Sequence, residues 1–174
     1  MSLPNSEDMF KSENAPGSSM KVSTRGRYAL RIMLDIVENG DGTTPVSFKD
    51  VSKRQGISFR YMEQIGTALT RAGLLSSVRG AKGGYLLARG PGDIAVGEVL
   101  RATEGQLAPV PCLTSEEPCP RSGDCVTLIL WERLNSAILD VVDGTTLQDL
   151  LDESRRRRGV EIDMGAGIRR DLQV

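Results

Sequence analysis

The sequence predicts a mainly α-helical protein with one small β-hairpin: a winged helix-turn-helix domain followed by a long dimerisation helix. Three observations predict it. Two short amphipathic segments with a Gly-containing turn between them occupy roughly residues 47–73, the pattern of a helix-turn-helix. A glycine-rich hairpin with two cations at its tip follows at once. Further on, apolar residues between 128 and 141 recur at spacings of three and four, the seam of a long amphipathic helix.

Composition narrows the class. The 174 residues are 39% apolar and 26% charged, which is ordinary for a globular chain of one domain with appended elements. No apolar run approaches the roughly 20 residues a membrane span needs, and the N-terminus lacks a charged-then-apolar signal pattern. A cytoplasmic location with reduced thiols is therefore expected, with no membrane partner. The net charge of −1 hides an asymmetry: residues 20–90 carry 12 Lys/Arg against 5 Asp/Glu, whereas 91–174 carry 9 against 15. The first half can face phosphates, so nucleic acid belongs to it.

Residues 1–19, before a second methionine at Met20, are rich in Ser, Asn, Pro and Gly without apolar period, and are expected to be a disordered extension or tag. A first helix follows Ser23 or Thr24, with Tyr28, Ala29, Ile32, Met33, Ile36 and Val37 on one face, and stops at Asn39-Gly40. Ser47 with Asp50 reads as a capping box opening a short helix that bears Phe48 and Val51 and stops at Gly56. Ser58 caps the next helix, whose apolar face is Met62, Ile65, Ala68, Leu69 and Ala72, and Gly73 ends it. The second of two such helices is the one that enters a major groove.

Leu74–Val78 and Tyr85–Ala88 then read as strands joined by Arg79-Gly80-Ala81-Lys82-Gly83-Gly84, which completes a winged domain over 20–90. Three glycines permit a positive-φ turn, while Arg79 and Lys82 set two cations where a narrow minor groove attracts them. After Pro91, the residues Ile94, Val96, Val99 and Leu100 give a helix packed on this domain, within a linking segment at 91–111.

Cys112, Cys119 and Cys125 are all the cysteine in the chain and lie within one short loop, 112–125. An odd count cannot pair fully within one chain, so a metal or iron–sulfur cluster suits them better than a disulfide framework. Pro118, Pro120 and Gly123 block a regular helix and are expected to let the sulfurs converge. Zinc is the rival, but structural zinc sites want four Cys or His ligands and the chain has no histidine. The bland alternative is three incidental thiols.

From about Asp124 to Val142, Leu128, Trp131, Leu134, Ile138 and Val141 form the seam of a helix that must bury it, in its own domain or against a second copy. A dimer is the expectation, with the dimerisation region over 124–153. Thr146 caps a last short helix with Leu147, Leu150 and Leu151. Residues 154–174, opening with Arg155 to Arg158, are expected to be a flexible solvated tail, with nonspecific phosphate contact as the alternative.

Three runs carry a family resemblance: Thr24-Arg25-Gly26-Arg27-Tyr28-Ala29-Leu30, Ile57-Ser58-Phe59-Arg60-Tyr61-Met62-Glu63-Gln64, and Ser76 through Leu87. Together with the triple-cysteine loop and the helix after it, over roughly residues 20–153, the chain resembles the BadM/Rrf-type winged helix-turn-helix transcription regulators, and among them the iron–sulfur cluster regulators. The resemblance implies a homodimeric repressor or activator on a pseudo-palindromic operator of double-stranded DNA. Some members bind a [2Fe–2S] cluster, some a [4Fe–4S] cluster responsive to nitric oxide, and some none. It places Ser58, Tyr61, Glu63 and Gln64 on the recognition helix and Arg79, with Lys82 beside it, on the wing.

Glu63 accepts from cytosine N4 but is repelled by phosphates, which suits a specificity filter. Arg60 stands where the pattern has a small polar residue, so the operator cannot be copied across. The resemblance makes Cys112, Cys119 and Cys125 ligands of an iron–sulfur cluster, with [2Fe–2S] as the expected type. It also places a histidine three residues after the last cysteine, where this chain has Leu128. The fourth bond must come from elsewhere: Asp124, Glu116, Glu117, Glu132, an acidic residue of a second subunit, a backbone or solvent ligand, or a small thiol. An oxygen ligand matches the chemistry less well and implies a labile cluster.

Enzyme chemistry gains no support, since there is no histidine for acid–base work, no phosphate-cradling loop after a strand, and no paired nucleophile and base. Two other readings remain. One is a cluster-free regulator responding by thiol oxidation or a protein partner; the other is an iron–sulfur or thiol redox carrier without DNA binding.

Overall fold

The computed structural model describes residues 22–80, 82–115, 119 and 121–168, with side chains through 159. The expected extension at 1–19 lies outside them, as do Ala81, Glu116, Glu117, Pro118 and Pro120.

Helix α1 spans Thr24–Asn39, as the periodicity predicts, and Ser23 caps it by accepting from the Arg25 amide at 3.0 Å. Its inward stripe is Ala29, Ile32, Met33 and Ile36. Helix α2 spans Phe48–Gln55 and α3 spans Phe59–Arg71. Neither is opened by the capping side chain that the sequence suggests. The Ser47 and Ser58 hydroxyls make no cap bond; their backbone carbonyls accept from Asp50 and Val51, and from Tyr61 and Met62, at 3.0–3.1 Å. A Ser-x-x-Asp spacing permits a capping box, but here the carbonyls satisfy the first-turn amides alone.

The turn between α2 and α3 is fixed from three sides. Gly56 takes the left-handed conformation at φ +65°, Ser52 Oγ donates to the Ile57 carbonyl at 2.6 Å, and Arg31 donates to the Gln55 carbonyl at 2.8 Å. Helix α3 packs onto α2 through a close approach at Gly66. A Cβ there would lie 2.3 Å from the ring of Phe48, which also stacks on Tyr85 with centroids 3.7 Å apart.

Strands β1, Leu75–Val78, and β2, Gly84–Leu87, pair antiparallel with Leu75 opposite Leu87 and Val78 opposite Gly84. The wing has a third rung that the sequence did not reveal: Val46 bridges Tyr85, with two backbone bonds of 2.9 Å. This ties the wing to the N-terminus of α2. At the wing's base Arg89 reaches the Asp93 carbonyl and pairs with Glu98 at 2.7 Å, which holds the Glu98 carboxyl below its usual range.

Helix α4, Val96–Glu104, lies along α1. The main core contains residues of α1, α2, α3 and β1 together with Ile94, Val99 and Leu147, so segments beyond residue 90 complete the winged domain's interior. Gly26 makes the α1–α4 approach possible. Glu104 Oε1 accepts from the Gly26 amide at 2.7 Å and from Ser23 Oγ at 2.6 Å, and a Cβ on residue 26 would meet that oxygen.

Helix α5 spans Leu128–Gly144. It begins four residues later than the expected start near Asp124, because Arg121–Thr127 are taken up by turns, with Leu128 N bonded to the Cys125 carbonyl at 3.0 Å. Helix α6 opens with a true reciprocal box: the Thr146 amide donates to Asp149, and the Asp149 amide to Thr146 Oγ1. Rather than stopping, it runs over Leu147–Ile168, so the expected flexible tail from 154 is helical through Ile168. Pairs along the helix support the arginine run, Arg155 with Asp152 and both Arg156 and Arg157 with Glu153, and Arg158 reaches Glu38 of α1 at 2.7 Å.

Candidate nucleic-acid interface and cysteine loop

Helix α3 divides cleanly between two environments. Met62, Ile65 and Leu69 are buried, whereas Ser58, Arg60, Glu63 and Gln64 are exposed on the opposite side. Polar side chains free of the core are what base-edge recognition requires. Tyr61 differs from the sequence expectation in being half-buried: its ring meets Tyr28 edge-on at 6.0 Å, and Arg31 stands 5.4 Å over the Tyr28 ring. Part of its surface is therefore taken up within the protein and part is left to a ligand. Arg79 and Lys82 are both exposed on the wing, and Gly80 takes the positive φ of +118° expected of that turn.

Behind these groups lies a polar frame that sequence reasoning missed. Asp35, buried on α1, accepts from Arg54 through both carboxylate oxygens and from Gln55 Nε2 at 2.7 Å, while Arg31 Nε donates to Gln55 Oε1 at 2.9 Å. The carboxylate raises the Arg54 pKa further. The network locks α1 to the end of α2 and so aims α3. Its signal was faint: a lone Asp at position 35 within an apolar stripe.

Helix α5 is almost naked. Val142 is its only buried residue, and its C-terminal end alone is fastened, by Arg101 to Asp143, by the Val96 amide to the Thr145 carbonyl, and by the Leu147 amide to the Ile94 carbonyl. The expected seam is at least partly exposed throughout, from Leu128, Trp131 and Ile138, which are half-buried, to Leu134 and Val141, which is 66% exposed. Apolar exposure also extends beyond the seam to Val126 at 86%, Ile129 and Leu130, a cluster beside Cys125 that the heptad-like spacing did not single out.

The cysteine loop leads into this exposed end. Cys112 is exposed on a single 3-10 turn at Pro111–Leu113, and Cys119 and Cys125 are half-buried. Cys125 Sγ lies 3.3 Å from Thr127 Oγ1; that hydrogen bond, aided by the amides of Thr127 and Leu128 and by Arg121, lowers the thiol's pKa. The expected convergence of the sulfurs is not found. Among the described residues no group of three His, Cys, Asp or Glu side chains stands close enough to hold a metal ion. As donors the three thiols fit an iron–sulfur cluster, being soft, accessible and free of disulfides. A closed four-ligand set within one protomer does not exist among the described residues.

A helix-turn-helix with a polar outer face, a cationic hairpin wing and an unpaired apolar helix defines the class of winged helix-turn-helix DNA-binding transcription regulators. The profile of the Rrf2 family, described as "Iron-dependent Transcriptional regulator", matches residues 22–153, and the chain belongs to that family. It is 42% identical over 132 residues to the HTH-type transcriptional regulator CymR of Bacillus subtilis, covering 75% of this chain and 89% of that one. To the HTH-type transcriptional regulator IscR of Klebsiella pneumoniae it is 39% identical over 161 residues, covering 89% and 98%. Among solved structures, B. subtilis CymR, "the Global Cysteine Regulator", superposes with a TM-score of 0.63 at 40% identity, covering 76% of this chain and 97% of that one. T. potens IscR superposes with 0.61 at 40% identity, covering 77% and 88%. The chain is thus a DNA-binding regulator rather than an enzyme, and the redox-carrier alternative falls. Among the described residues no helix is long and apolar enough to cross a membrane.

Proposed function

We propose that the protein is a cytoplasmic, homodimeric repressor that reads a pseudo-palindromic operator and senses iron–sulfur, redox or nitric oxide status through its cysteine loop. The observation that carries this reading is the junction of three thiols with the exposed apolar end of α5. Two copies joined along Leu128, Trp131, Leu134, Ile138 and Val141 cover that helix and pair two reading heads. Ser58, Arg60, Tyr61, Glu63 and Gln64 then meet base edges or phosphates in the major groove, and Arg79 and Lys82 track the adjoining backbone or minor groove.

Cys112, Cys119 and Cys125 would hold a [2Fe–2S] cluster, with the fourth bond from outside the loop's own cysteines. Such a group, when bound, supplies one-electron redox chemistry and lability toward oxidants. The chain's own part is to present three thiolates, and the lowered Cys125 pKa favours that ionised form. A second reading, direct thiol oxidation without a cluster, is favoured by the same acidified Cys125 and by the accessibility of the three thiols, none of which is fully buried.

Anaerobic purification with iron and acid-labile sulfide analysis and a visible spectrum separates the two, on the wild type and on Cys119→Ala. Iron and sulfide that co-purify and vanish in the variant support the cluster. Absence of both after anaerobic reconstitution leaves the thiol mechanism.

A further inference from the structure

The arginine run of α6 is ordered by its helix into two pairs. Arg155 and Arg158 follow the buried Leu151 by four and seven residues, which sets them on the side of α6 that faces the molecule. Arg156 and Arg157 fall on the other side, ion-paired with Glu153.

The inward pair has a specific address. Arg158 donates to Glu38 at 2.7 Å. Glu38 lies on the wall of an open groove of about 800 Å³, which is also lined by Asp50 and Arg54 of α2 and by Lys82 and Gly83 of the wing. The groove therefore meets the end of the α6 run through Glu38 on one side and carries Lys82 of the wing on another. Arg54 and Lys82 line it as cations and Glu38, Asp41 and Asp50 as carboxylates, and Arg158 reaches it through Glu38, with Arg155 one turn back on the same side of α6.

The carboxylate partners of the inward pair do not use it up. Arg155 sits 3.5 Å from Asp152, with 63% of its side chain exposed, and Arg158 is 57% exposed. Exposed pairs of this kind contribute little in water, and a guanidinium has five N–H donors, of which one carboxylate engages one or two. Such a group can exchange its carboxylate for a phosphate, or hold both.

We propose that Arg155 and Arg158 form an accessory phosphate-binding edge, which takes the backbone of double-stranded DNA flanking the wing contact and lengthens the footprint of each protomer. The proposal rests on the DNA-binding reading and adds to it a surface outside the helix-turn-helix and wing. Phosphate contacts carry no base sequence, so the edge raises affinity for operator and random DNA alike.

The test is the salt dependence of binding to a random-sequence duplex of about 40 base pairs, long enough to supply flanking backbone. Each phosphate contact contributes about 0.9 to the slope of log K against log salt, so Arg155→Gln with Arg158→Gln flattens it by about 1.8 per protomer engaged. Between about 0.05 and 0.2 M KCl the wild type then loses roughly 12-fold more affinity than the variant, per protomer. The double lysine variant, which keeps both charges, is expected to restore the slope, and Arg156→Gln with Arg157→Gln to leave it unchanged. Equal slopes for wild type and the R155Q/R158Q protein would overturn the edge while leaving DNA binding intact, as would a double lysine variant as flat as the glutamine one. A wild type without salt-dependent affinity for any duplex would instead overturn the DNA-binding reading itself.

Discussion

Gly66→Ala sets two effects of similar size against each other, and the structure says which one wins. In a helix interior alanine is favoured over glycine by about 1 kcal/mol. Here the new Cβ would stand 2.3 and 2.7 Å from two ring carbons of Phe48, more than an ångström inside ordinary contact. The ring's freedom to shift is limited, because Tyr85 stacks on it at 3.7 Å and Val46 holds Tyr85 through two backbone bonds. Overpacking of a rigid site costs about 3 kcal/mol at the upper end of its usual range, which leaves a net loss of about 2 kcal/mol. For a chain of this length that lowers Tm by about 4–8 °C. Urea unfolding followed by far-UV circular dichroism measures the difference, alone and on a Phe48→Leu background. On that background the clash is gone and Gly66→Ala should stabilise by about 1 kcal/mol. A Gly66→Ala protein more stable than wild type, or one whose effect is the same with Phe48 and with leucine, refutes the reasoning.

Two further outcomes follow from other contacts. Arg54→Ala leaves Asp35, whose side chain is 2% exposed, with Gln55 as its remaining neutral donor; because Arg54 itself is 37% exposed, the loss is discounted from the full cost of an orphaned buried charge to about 2 kcal/mol, read as a shift in urea midpoint at constant m. Cys125 has a depressed pKa, so its thiolate forms, and its alkylation by iodoacetamide rises, at a pH below the ordinary thiol midpoint of about 8.5; in Thr127→Val the principal cause is gone and the midpoint should move up, as mass-spectrometric site mapping across pH would show.

Much of the head was legible from pattern alone. The stripe from Ala29 to Ile36, the turn at Gly56, the buried face of α3 and the presence of the two wing strands all follow from apolar period and glycine placement, which are local signals. What escaped was non-local. The Val46 rung is a single residue pairing across almost 40 positions, too short to leave a strand pattern. The Asp35–Arg54–Gln55 network joins residues about 20 apart, whose polarity reads as surface when taken singly. The arginine run looked like a tail because it has no apolar period, yet its helix is carried by charge pairs and by Glu38. Cysteine spacing indicated a loop that could gather three sulfurs, but whether sulfurs meet depends on the fold around them, and spacing does not encode that.

Helix α5, fastened at Asp143–Leu147 and unsupported over its first three turns, is mechanically a cantilever. Its 17 residues make an arm of about 25 Å, so a tilt of about 10° at the clamp sweeps the far tip through roughly 4 Å. The clamp consists of one ion pair and two backbone bonds around Gly97, where a Cβ would collide with Asp143. A side chain larger than hydrogen at position 97 would therefore press on the Asp143 carboxylate of that joint, and any tilt that results would be felt least at the clamp and most at the far end of the helix, beside Cys125.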